Sequence, residues 1–464
     1  MAAAGKSKLV HVCSECGTSH PKWAGRCSGC GDWNTLVEDV ETSGVASQPI
    51  GPTNRPGPTL IGDVTTDSGH PVSTSIPELD RVLGGGIVAG SVVLLGGEPG
   101  IGKSTLLLQL LAGWQGQTLY VTAEESARQV KLRAERLGAD HPRLWLHAET
   151  SLPHILEAIE ETRPELVVID SIQTVNDPAL GSLPGSVGQV RGCAQQLVNV
   201  AKERNISIVL VGHVTKEGSL AGPRVLEHIV DTVLQFEGDR HHALRLLRAS
   251  KHRFGPTNEL GLFEMAPSGL IGVPDPSSLF LADRRTGVPG SAVVPTMEGQ
   301  RPIVVEVQVL ASPGIAGVPS RRSAQGLDAG RLSMLLAVLG RRSRIPVSDQ
   351  DIYASTAGGV KLTEPGLDLG VCLAAVSAIR DQPLPSDVAV FGEVGLGGEL
   401  RQVGQAARRL TEAARLGFSR VIVPANSPDT DAGIRMVRAA TLSEAITSVG
   451  LGTSSSSSSE LRAI

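Results

Sequence analysis

The sequence is poor in aromatic residues and in long apolar runs. Phe, Trp and Tyr make up only 3% of the 464 residues, so any core has to be built mainly from aliphatic side chains. No stretch approaches the roughly 20 consecutive apolar residues that cross a bilayer. The segment from Met1 to Lys8 lacks the apolar region of a secretory signal. We therefore expect a cytoplasmic protein without membrane contact.

An excess of basic charge is also missing. The formal net charge of −5 argues against a uniformly basic nucleic-acid coat, although it leaves room for a local basic groove. Cysteine is scarce, and four of the six cysteines lie within the first thirty residues. Such crowding favours metal binding in a reducing compartment over disulfides. The length is sufficient for two or three globular domains.

The four early cysteines form two C-x₂-C pairs separated by ten residues. They are Cys13, Cys16, Cys27 and Cys30. This spacing is typical of a tetrahedral four-thiolate Zn²⁺ site, in which no coordination position stays open for catalysis. We predict a structural zinc finger, because the matched pairs disfavour both a redox dithiol and incidental cysteines. Trp23 and Trp33 are expected to pack over the site, although either could stack on a base.

A glycine-rich loop follows the apolar run Ser91–Leu95 and precedes a helical pattern. It consists of Gly97, Glu98, Pro99, Gly100, Ile101, Gly102, Lys103, Ser104 and Thr105. Strand, glycine-rich loop and helix are the context of a nucleotide phosphate loop. Lys103 can reach the β- and γ-phosphates, and the Ser104 hydroxyl can bind Mg²⁺. A glycine-rich turn that fits by chance is disfavoured, because every fixed position is filled. The loop predicts binding of ATP or GTP.

Carboxylates follow two predicted strands downstream of this loop. The strand Thr118–Thr122 precedes Glu124 and Glu125, either of which could orient the attacking water. Alternatively, both acids could belong to a helix N-terminus, where they complement the dipole. The strand 165–171 carries Asp170 near its end, where it can hold Mg²⁺. Strands alternate with helical stretches, which predicts an α/β fold with a parallel sheet covered by helices on both faces.

A compact basic cluster and a second domain follow. Lys251 and Arg253 could form part of a solvated charge run, the more usual outcome, or reach the γ-phosphate of a neighbouring subunit. Mixed helix and strand patterns from 304 onwards predict a separate α+β domain. The predicted organisation is a zinc finger (1–40), a flexible linker (41–58), a P-loop ATPase domain (59–275), the α+β domain (276–452) and a disordered serine-rich tail (453–464).

Several motifs occur in one order along the chain. They are the four-cysteine finger, Ser-Ile-Pro-Glu-Leu-Asp-Arg-Val-Leu-Gly-Gly-Gly (75–86), the phosphate loop, Gly-His-Val-Thr-Lys-Glu-Gly (212–218), Gly-Pro-Arg-Val-Leu-Glu-His (222–228) and Lys-His-Arg-Phe-Gly (251–255). In this combination the chain resembles the RadA (Sms) family of bacterial DNA repair and recombination ATPases. The resemblance covers the chain from Cys13 to about Gly450.

The resemblance implies a RecA-like ATPase core that assembles as a hexameric ring on single-stranded and branched DNA. It implies a helicase-like motor that uses ATP, Mg²⁺ and Zn²⁺ and promotes branch migration alongside the RecA recombinase. By the same resemblance Glu124 is the catalytic glutamate and Asp170 the acid on the Mg²⁺ side. Lys251 and Arg253 match a Lys-Asn-Arg-Phe-Gly motif that works at the subunit interface, and His252 replaces its Asn.

The C-terminal domain resembles the proteolytic domain of the Lon protease, which uses a Ser–Lys dyad. The segment that matches the nucleophile region, 362–368, contains no serine, and the segment that matches the lysine region, 404–408, contains no lysine. A dyad needs both members, so no peptidase activity is expected. The missing dyad argues against an ATP-dependent protease. The intact phosphate loop, Glu124 and Asp170 argue against a scaffold that only binds the nucleotide as a switch. Candidate DNA-backbone contacts, or simply a solvated face, are Arg321, Arg322, Arg341, Arg342 and Arg344.

Overall fold

The structure is a computed structural model in which the chain divides into two compact units, Met1–Val273 and Pro274–Ile464. It describes residues 7–13, 18–29, 31–42, 60–61, 69–214, 220–221, 225–238, 244–314, 319–357, 362 and 364–452. Most of the predicted linker and the serine-rich tail lie outside the described residues, as do Cys16 and Cys30. The predicted domain limits therefore stay predictions.

The first unit begins with a small antiparallel sheet of three strands in the order β2-β1-β3. The strands are β1 (Ser7–Cys13), β2 (Ser19–His20) and β3 (Leu36–Thr42). Cys13 is the last residue of β1, and Cys27 lies between β2 and β3. Cys13, Cys27 and Leu36 form a small buried cluster. Such a short segment cannot bury a large core, so its stability has to come from elsewhere.

The rest of the first unit is organised on a ten-stranded sheet. Its helices are α1 (Pro77–Val82), α2 (Lys103–Gly113), α3 (Ala127–Arg136), α4 (Leu152–Thr162), α5 (Val187–Arg204) and α6 (Val225–Ile229). A short β4 (Pro71–Val72) pairs with β5 (Ile87–Val88) outside that sheet. The strands of the large sheet are β6 (Val92–Gly97), β7 (Thr118–Thr122), β8 (Leu144–Ala148), β9 (Leu166–Asp170), β10 (Ser207–Val214), β11 (Leu220–Ala221), β12 (Thr232–Glu237), β13 (Leu244–His252), β14 (Leu260–Ala266) and β15 (Gly269–Gly272).

The large sheet is parallel in one part and antiparallel in the other. The strand order is β15-β14-β13-β12-β6-β10-β9-β7-β8, with β11 beside β10. Strands β12, β6, β10, β9, β7 and β8 run parallel. Strands β13, β14 and β15 continue it as an antiparallel meander. The predicted parallel sheet is thus confirmed in its central part, and the short hairpin connections explain why the meander is antiparallel.

Alternate residues of the central strands belong to two different cores. In β6, Val93 and Leu95 join the cluster that contains α2, whereas Val92 and Leu94 join the cluster that contains α5. Because successive side chains of a strand point to opposite faces, helices must cover both faces of this sheet. This confirms the predicted covering of both faces.

The second unit contains smaller sheets and five described helices. The helices are α7 (Pro276–Leu281), α8 (Ala329–Arg342), α9 (Asp368–Arg380), α10 (Ala406–Arg415) and α11 (Leu442–Ser448). The strands are β16 (Ser291–Glu298), β17 (Arg301–Pro313), β18 (Arg322–Gln325), β19 (Gln350–Thr356), β20 (Val388–Val390), β21 (Glu393–Val394), β22 (Leu400–Arg401), β23 (Arg420–Pro424) and β24 (Arg435–Ala439). The sheet orders are β16-β17-β19-β18, β20-β23-β24 and β21-β22, which confirms the α+β class. In the described part of the chain, no helix has the length and apolar character needed to span a bilayer.

One buried arginine fixes α10 to its surroundings. The side chain of Arg409 is 2% exposed and forms a two-pronged ion pair with Glu364, at 2.8 and 2.9 Å. Its remaining N–H groups donate to the carbonyls of Gly404 and Pro295, and the guanidinium lies 5.5 Å from the ring centroid of Phe391. All of its charge-assisted hydrogen bonds are therefore formed inside the second unit.

We predict that Arg409→Ala destabilises the second unit by about 3 kcal/mol, because it leaves the Glu364 carboxylate without its cation. Native-state hydrogen exchange of peptides from α10 and β16 measures this local stability. The matched control is Arg408→Ala, since the neighbouring Arg408 is exposed and donates only to Gln300. Equal exchange in the two variants would contradict the prediction.

Candidate nucleotide and metal sites

The phosphate loop connects the end of β6 to the first turn of α2. A Cβ at Gly97 would lie 2.7 Å from the carbonyl oxygen of Phe236, so only glycine fits where β6 passes β12. Gly100 and Gly102 have φ angles of +78° and +117°, a region in which side chains are disfavoured. The backbone amides of the loop and the start of α2 are therefore arranged as an anion-binding turn.

Lys103 lies folded along this loop. Its ammonium donates to the carbonyls of Gly97 at 2.7 Å and Glu98 at 3.0 Å. Burial lowers the pKa of Lys103, and the carboxylates of Asp170 and Glu124 oppose this change. The Lys103 side chain is thus held by two carbonyls and faces two carboxylates at the mouth of the loop.

Asp170 brings the loop helix and the sheet together. Its Oδ2 accepts hydrogen bonds from the Ser104 hydroxyl at 2.7 Å and from the Tyr120 hydroxyl at 2.5 Å. Burial, together with the carboxylate of Asp170, raises the pKa of Tyr120, so its phenol stays protonated and donates. Ser104 and Asp170 therefore present two adjacent oxygen ligands of the kind that Mg²⁺ prefers, and they fit such an ion.

The structure distinguishes the two glutamates that follow β7. Glu124 accepts a hydrogen bond from the hydroxyl of Ser171, which follows Asp170 in the chain. Glu125 instead pairs with Arg133 of α3 at 2.8 Å. The N-cap of α3 is Ser126, which forms a capping box with its third helical residue. Glu125 thus serves the start of the helix, whereas Glu124 lies beside the Asp170 cluster.

The residues of the Lys-His-Arg cluster have different environments. The ammonium of Lys251 donates to the carbonyls of Glu227 and Val230, at 2.6 and 2.8 Å, and burial lowers its pKa. The two nitrogens of His252 lie 2.9 Å from the Thr232 hydroxyl and 3.2 Å from the Leu83 carbonyl, and burial lowers its pKa as well.

Arg253 is the more accessible cation of this cluster. Its side chain is 49% exposed and pairs with the buried carboxylate of Asp231 at 3.0 Å. The other oxygen of Asp231 accepts a hydrogen bond from the backbone amide of Val92. This carboxylate holds Arg253 at the beginning of β6 and β12.

The cluster lies at the edge of the sheet opposite the phosphate loop. In the strand register, His252 of β13 lies opposite Thr232 of β12, and Thr232 lies opposite Val93 near the beginning of β6. The phosphate loop starts at the other end of β6, at Gly97. Four residues of strand separate the two positions, about 13 Å along the strand. Arg253 follows His252 and lies farther still, so it cannot contact the phosphate loop of its own chain.

Both described cysteines of the finger have the same local geometry. The amide of Cys13 donates to the carbonyl of Thr18 at 3.0 Å, and the amide of Cys27 donates to that of Asp32 at 2.9 Å. The Sγ atom of Cys27 also accepts from the amide of Gly29 at 3.3 Å. At each described cysteine, the amide thus bonds to the carbonyl five residues later and the sulfur is buried. These two features, and the amide that donates to the Cys27 sulfur, fit a thiolate-bound metal. The other two sulfurs lie outside the described residues.

The two finger tryptophans do not cover these sulfurs. Trp23 is 58% exposed and Trp33 is 70% exposed, whereas Leu36 and Ala24 pack against the two described cysteines. The expectation that the rings pack over the site is therefore wrong, because small aliphatic side chains already fill that position.

Sequence reasoning missed two residues of the nucleotide site and one of the basic cluster. Tyr120 and Ser171 support the carboxylates of the nucleotide site, and Asp231 holds the exposed Arg253 of the cluster. A signal existed for Tyr120 alone, since it is one of only two tyrosines and lies in a short buried strand. The bonds of Ser171 and Asp231 depend on tertiary pairing, which no local pattern reveals.

Family models match three parts of the chain. They describe a rubredoxin metal-binding domain (residues 11–38), an AAA domain (59–219) and the C-terminal proteolytic domain of the Lon protease (348–440). The DNA repair protein RadA of Bacillus subtilis is 48% identical over 458 residues, which cover 96% of this chain and 99% of that protein. RadA of Streptococcus pyogenes serotype M1 is 48% identical over 453 residues, with the same coverage.

The chain belongs to the RadA family of DNA repair proteins. Its fold is that of a P-loop ATPase with an N-terminal zinc ribbon and a Lon-like C-terminal domain. A KaiC-like protein from Pyrococcus horikoshii is 22% identical and covers 44% of this chain and 99% of its own, with a TM-score of 0.37. This similarity is too distant to support any inference.

In this RadA family member, the segments that match the Lon dyad region are occupied by ion pairs. Glu364 pairs with Arg409, and Asp368 forms a buried pair with Arg331 and accepts from the amide of Val394. Burial raises the pKa of Asp368, and Arg331 opposes this change. The charged side chains of this region are thus held by fixed ion pairs and hydrogen bonds.

The five candidate DNA-contacting arginines differ in availability. Arg322 donates to the carbonyls of Val347 and Gln350, and Arg342 donates to the carbonyl of Leu396. The side chains of Arg321, Arg341 and Arg344 are exposed and have no hydrogen-bonded or ion-paired partner among the described residues, so they are better placed for an external phosphate.

We predict one Zn²⁺ per chain in the purified protein and its loss in Cys27→Ser, because a serine hydroxyl replaces a thiolate poorly as a zinc ligand. Metal content can be measured by mass spectrometry. The matched control is Cys193→Ser, since Cys193 is a buried cysteine of α5 and should leave the zinc content unchanged. A folded wild-type protein without metal would contradict the prediction.

Proposed function

We propose that this protein is a DNA-dependent ATPase, a helicase-like motor of DNA repair and homologous recombination. The observation that carries the proposal is the convergence of Lys103, Ser104, Asp170 and Glu124 at one edge of the sheet. The relatives at 48% identity are named DNA repair proteins, and we take DNA repair as the proposed biological process from that name. A protein that acts on bacterial DNA works in the cytoplasm.

Each residue has a proposed role in hydrolysis. The loop amides of 97–105 and the Lys103 ammonium bind the β- and γ-phosphates, and Ser104 and Asp170 hold Mg²⁺, which neutralises phosphate charge. Glu124 orients the attacking water and accepts its proton. Tyr120 orients Asp170 through its 2.5 Å hydrogen bond.

The opposite position of the basic cluster supports a site that is shared between subunits. Since Arg253 cannot contact its own phosphate loop, a role at a γ-phosphate requires the loop of a neighbouring subunit. A head-to-tail arrangement with this property closes into a ring. We propose a hexameric ring in which Lys251 supports this region through the α6 carbonyls and Arg253 completes the neighbouring site. The half-exposed side chain of Arg253 favours it as the residue that reaches across.

The proposed function also includes the kind of nucleic acid on which the protein acts. Single-stranded and branched DNA are the proposed substrates, with branch migration alongside RecA as the proposed activity. Arg341 and Arg344 offer unpartnered cations for phosphate contacts within the described part of the second unit. We further propose that the Lon-like domain has no peptidase activity. After Lys251 the only lysine of the chain is Lys361, which lies outside the segment that matches the catalytic lysine.

ATP hydrolysis should be stimulated by single-stranded DNA at low salt, where phosphate contacts are strongest. Lys103→Ala and Glu124→Gln should each lower the hydrolysis rate by roughly a hundredfold or more, because they remove phosphate binding and the catalytic base. The matched control is Glu125→Gln, which should stay close to the wild-type rate, since Glu125 faces Arg133. If single-stranded DNA leaves the ATP hydrolysis rate of the wild-type protein unchanged, the proposed motor function is refuted.

Mixed rings test the shared site. Lys103→Ala and Arg253→Ala are each expected to be inactive alone, whereas equal mixtures should regain about a quarter of the sites, if each site joins one loop to one neighbouring Arg253. Hydrolysis after mixing measures the recovery. The control mixes Lys103→Ala with Glu124→Gln, two changes in the same chain's half of the site, and should recover nothing. A mixture of the first pair that stays inactive would place the function of Arg253 within its own chain.

A further inference from the structure

The zinc ribbon carries an exposed pair of tryptophans. The whole chain contains four tryptophans, and two of them lie in this short segment. Trp23 is 58% exposed and Trp33 is 70% exposed. A Cβ at Gly25 would lie 3.6 Å from the Trp33 ring and 3.8 Å from the Trp23 ring, so the two rings converge on one backbone position that has no side chain.

The rings are held in place by the fold of the ribbon. Trp33 is paired with Arg26 in an antiparallel bridge, and the amide of Asn34 donates to the Gly25 carbonyl at 2.8 Å. The Arg26 side chain donates to the carbonyl of Gly31 at 2.7 Å, and its guanidinium lies 5.9 Å from the Trp33 ring centroid. This cation–π contact orients one ring without burying it.

The charges beside the rings are positive. Lys22 and Arg26 are exposed; Lys22 precedes Trp23 in the chain, and Arg26 lies beside the Trp33 ring. Neither cation has a carboxylate within ion-pair distance among the described residues. Two exposed rings beside two unpaired cations match a single-stranded nucleic acid, whose bases stack and whose phosphates need counterions. Exposed tryptophans also occur at protein interfaces, but there the unpaired cations would have to meet an acidic surface.

We propose that Trp23 and Trp33 form a stacking platform for the bases of single-stranded DNA, with Lys22 and Arg26 on its phosphates. This inference rests on the proposed DNA-dependent function, because that function supplies the ligand. The bound metal would then keep the platform rigid, because the segment has almost no core of its own.

The first experiment measures tryptophan fluorescence in the full-length protein. In a Trp145→Phe background the remaining emission comes from Trp23, Trp33 and the buried Trp114. Titration with an oligothymidylate should quench this emission, because thymine stacks on the exposed rings. Binding that is detected by anisotropy without any quenching would overturn the inference.

The second experiment separates stacking from charge. Trp23→Ala and Trp33→Ala should each weaken oligothymidylate binding by about fivefold to a hundredfold, without changing the salt dependence of the affinity. Lys22→Ala and Arg26→Ala should each lower the slope of log affinity against log salt by about one. Trp33→Phe should restore most of the affinity lost in Trp33→Ala, which a purely structural role would not predict.

The matched control is Trp145→Ala, which removes an exposed tryptophan of β8 and should leave the affinity unchanged. Zinc content shows that each variant keeps its ribbon, and a variant that loses zinc is replaced by its Phe counterpart. Equal affinity in the wild type and the Trp23→Ala/Trp33→Ala double variant would refute the platform and point to a protein partner. If DNA also fails to stimulate wild-type hydrolysis, the proposed function fails as well.

Discussion

The hydrogen bonds to the Asp170 carboxylate are the constraint on which the nucleotide site depends. One oxygen of this side chain accepts from Ser104, in the first turn of α2, and from Tyr120, in the middle of β7. The bonds therefore tie the helix after the phosphate loop to two strands of the sheet. Because even a partly buried carboxylate is costly without partners, this arrangement is stable only when loop, helix and sheet are all in place.

The mixed sheet explains why the phosphate loop and the basic cluster lie at opposite edges of the sheet in one chain. Parallel strands place the phosphate loop, Glu124 and Asp170 at their carboxyl edge, as in other open α/β sheets. The antiparallel β13 runs the other way, so the residues at its end, His252 and then Arg253, lie at the amino edge. The direction of a single strand thus sets the separation between the phosphate loop and the basic cluster.

Local patterns predicted the phosphate loop and β7, whose bounds Thr118–Thr122 agree with the structure. They succeeded there because the glycines and the buried strand encode their conformation locally. The choice between Glu124 and Glu125 could not be made locally, since it depends on Arg133, about two helix turns beyond the N-cap. The carbonyl partners of Lys251 were equally hidden, because α6 lies more than twenty residues earlier in the chain. The meander β13–β15 was missed in part because two of its strands are short or interrupted by glycine.

The second unit has fixed ion pairs within its Lon-like part. Its Lon-like segments have acids and arginines near the positions of a Ser–Lys dyad, and these are engaged in the pairs Glu364–Arg409 and Asp368–Arg331. These pairs join α8 to α9, and α10 to the segment that precedes α9, and their hydrogen bonds hold the charged side chains in fixed positions. Similarity of fold to a protease does not by itself assign an activity to this unit, because function has to be argued from the site.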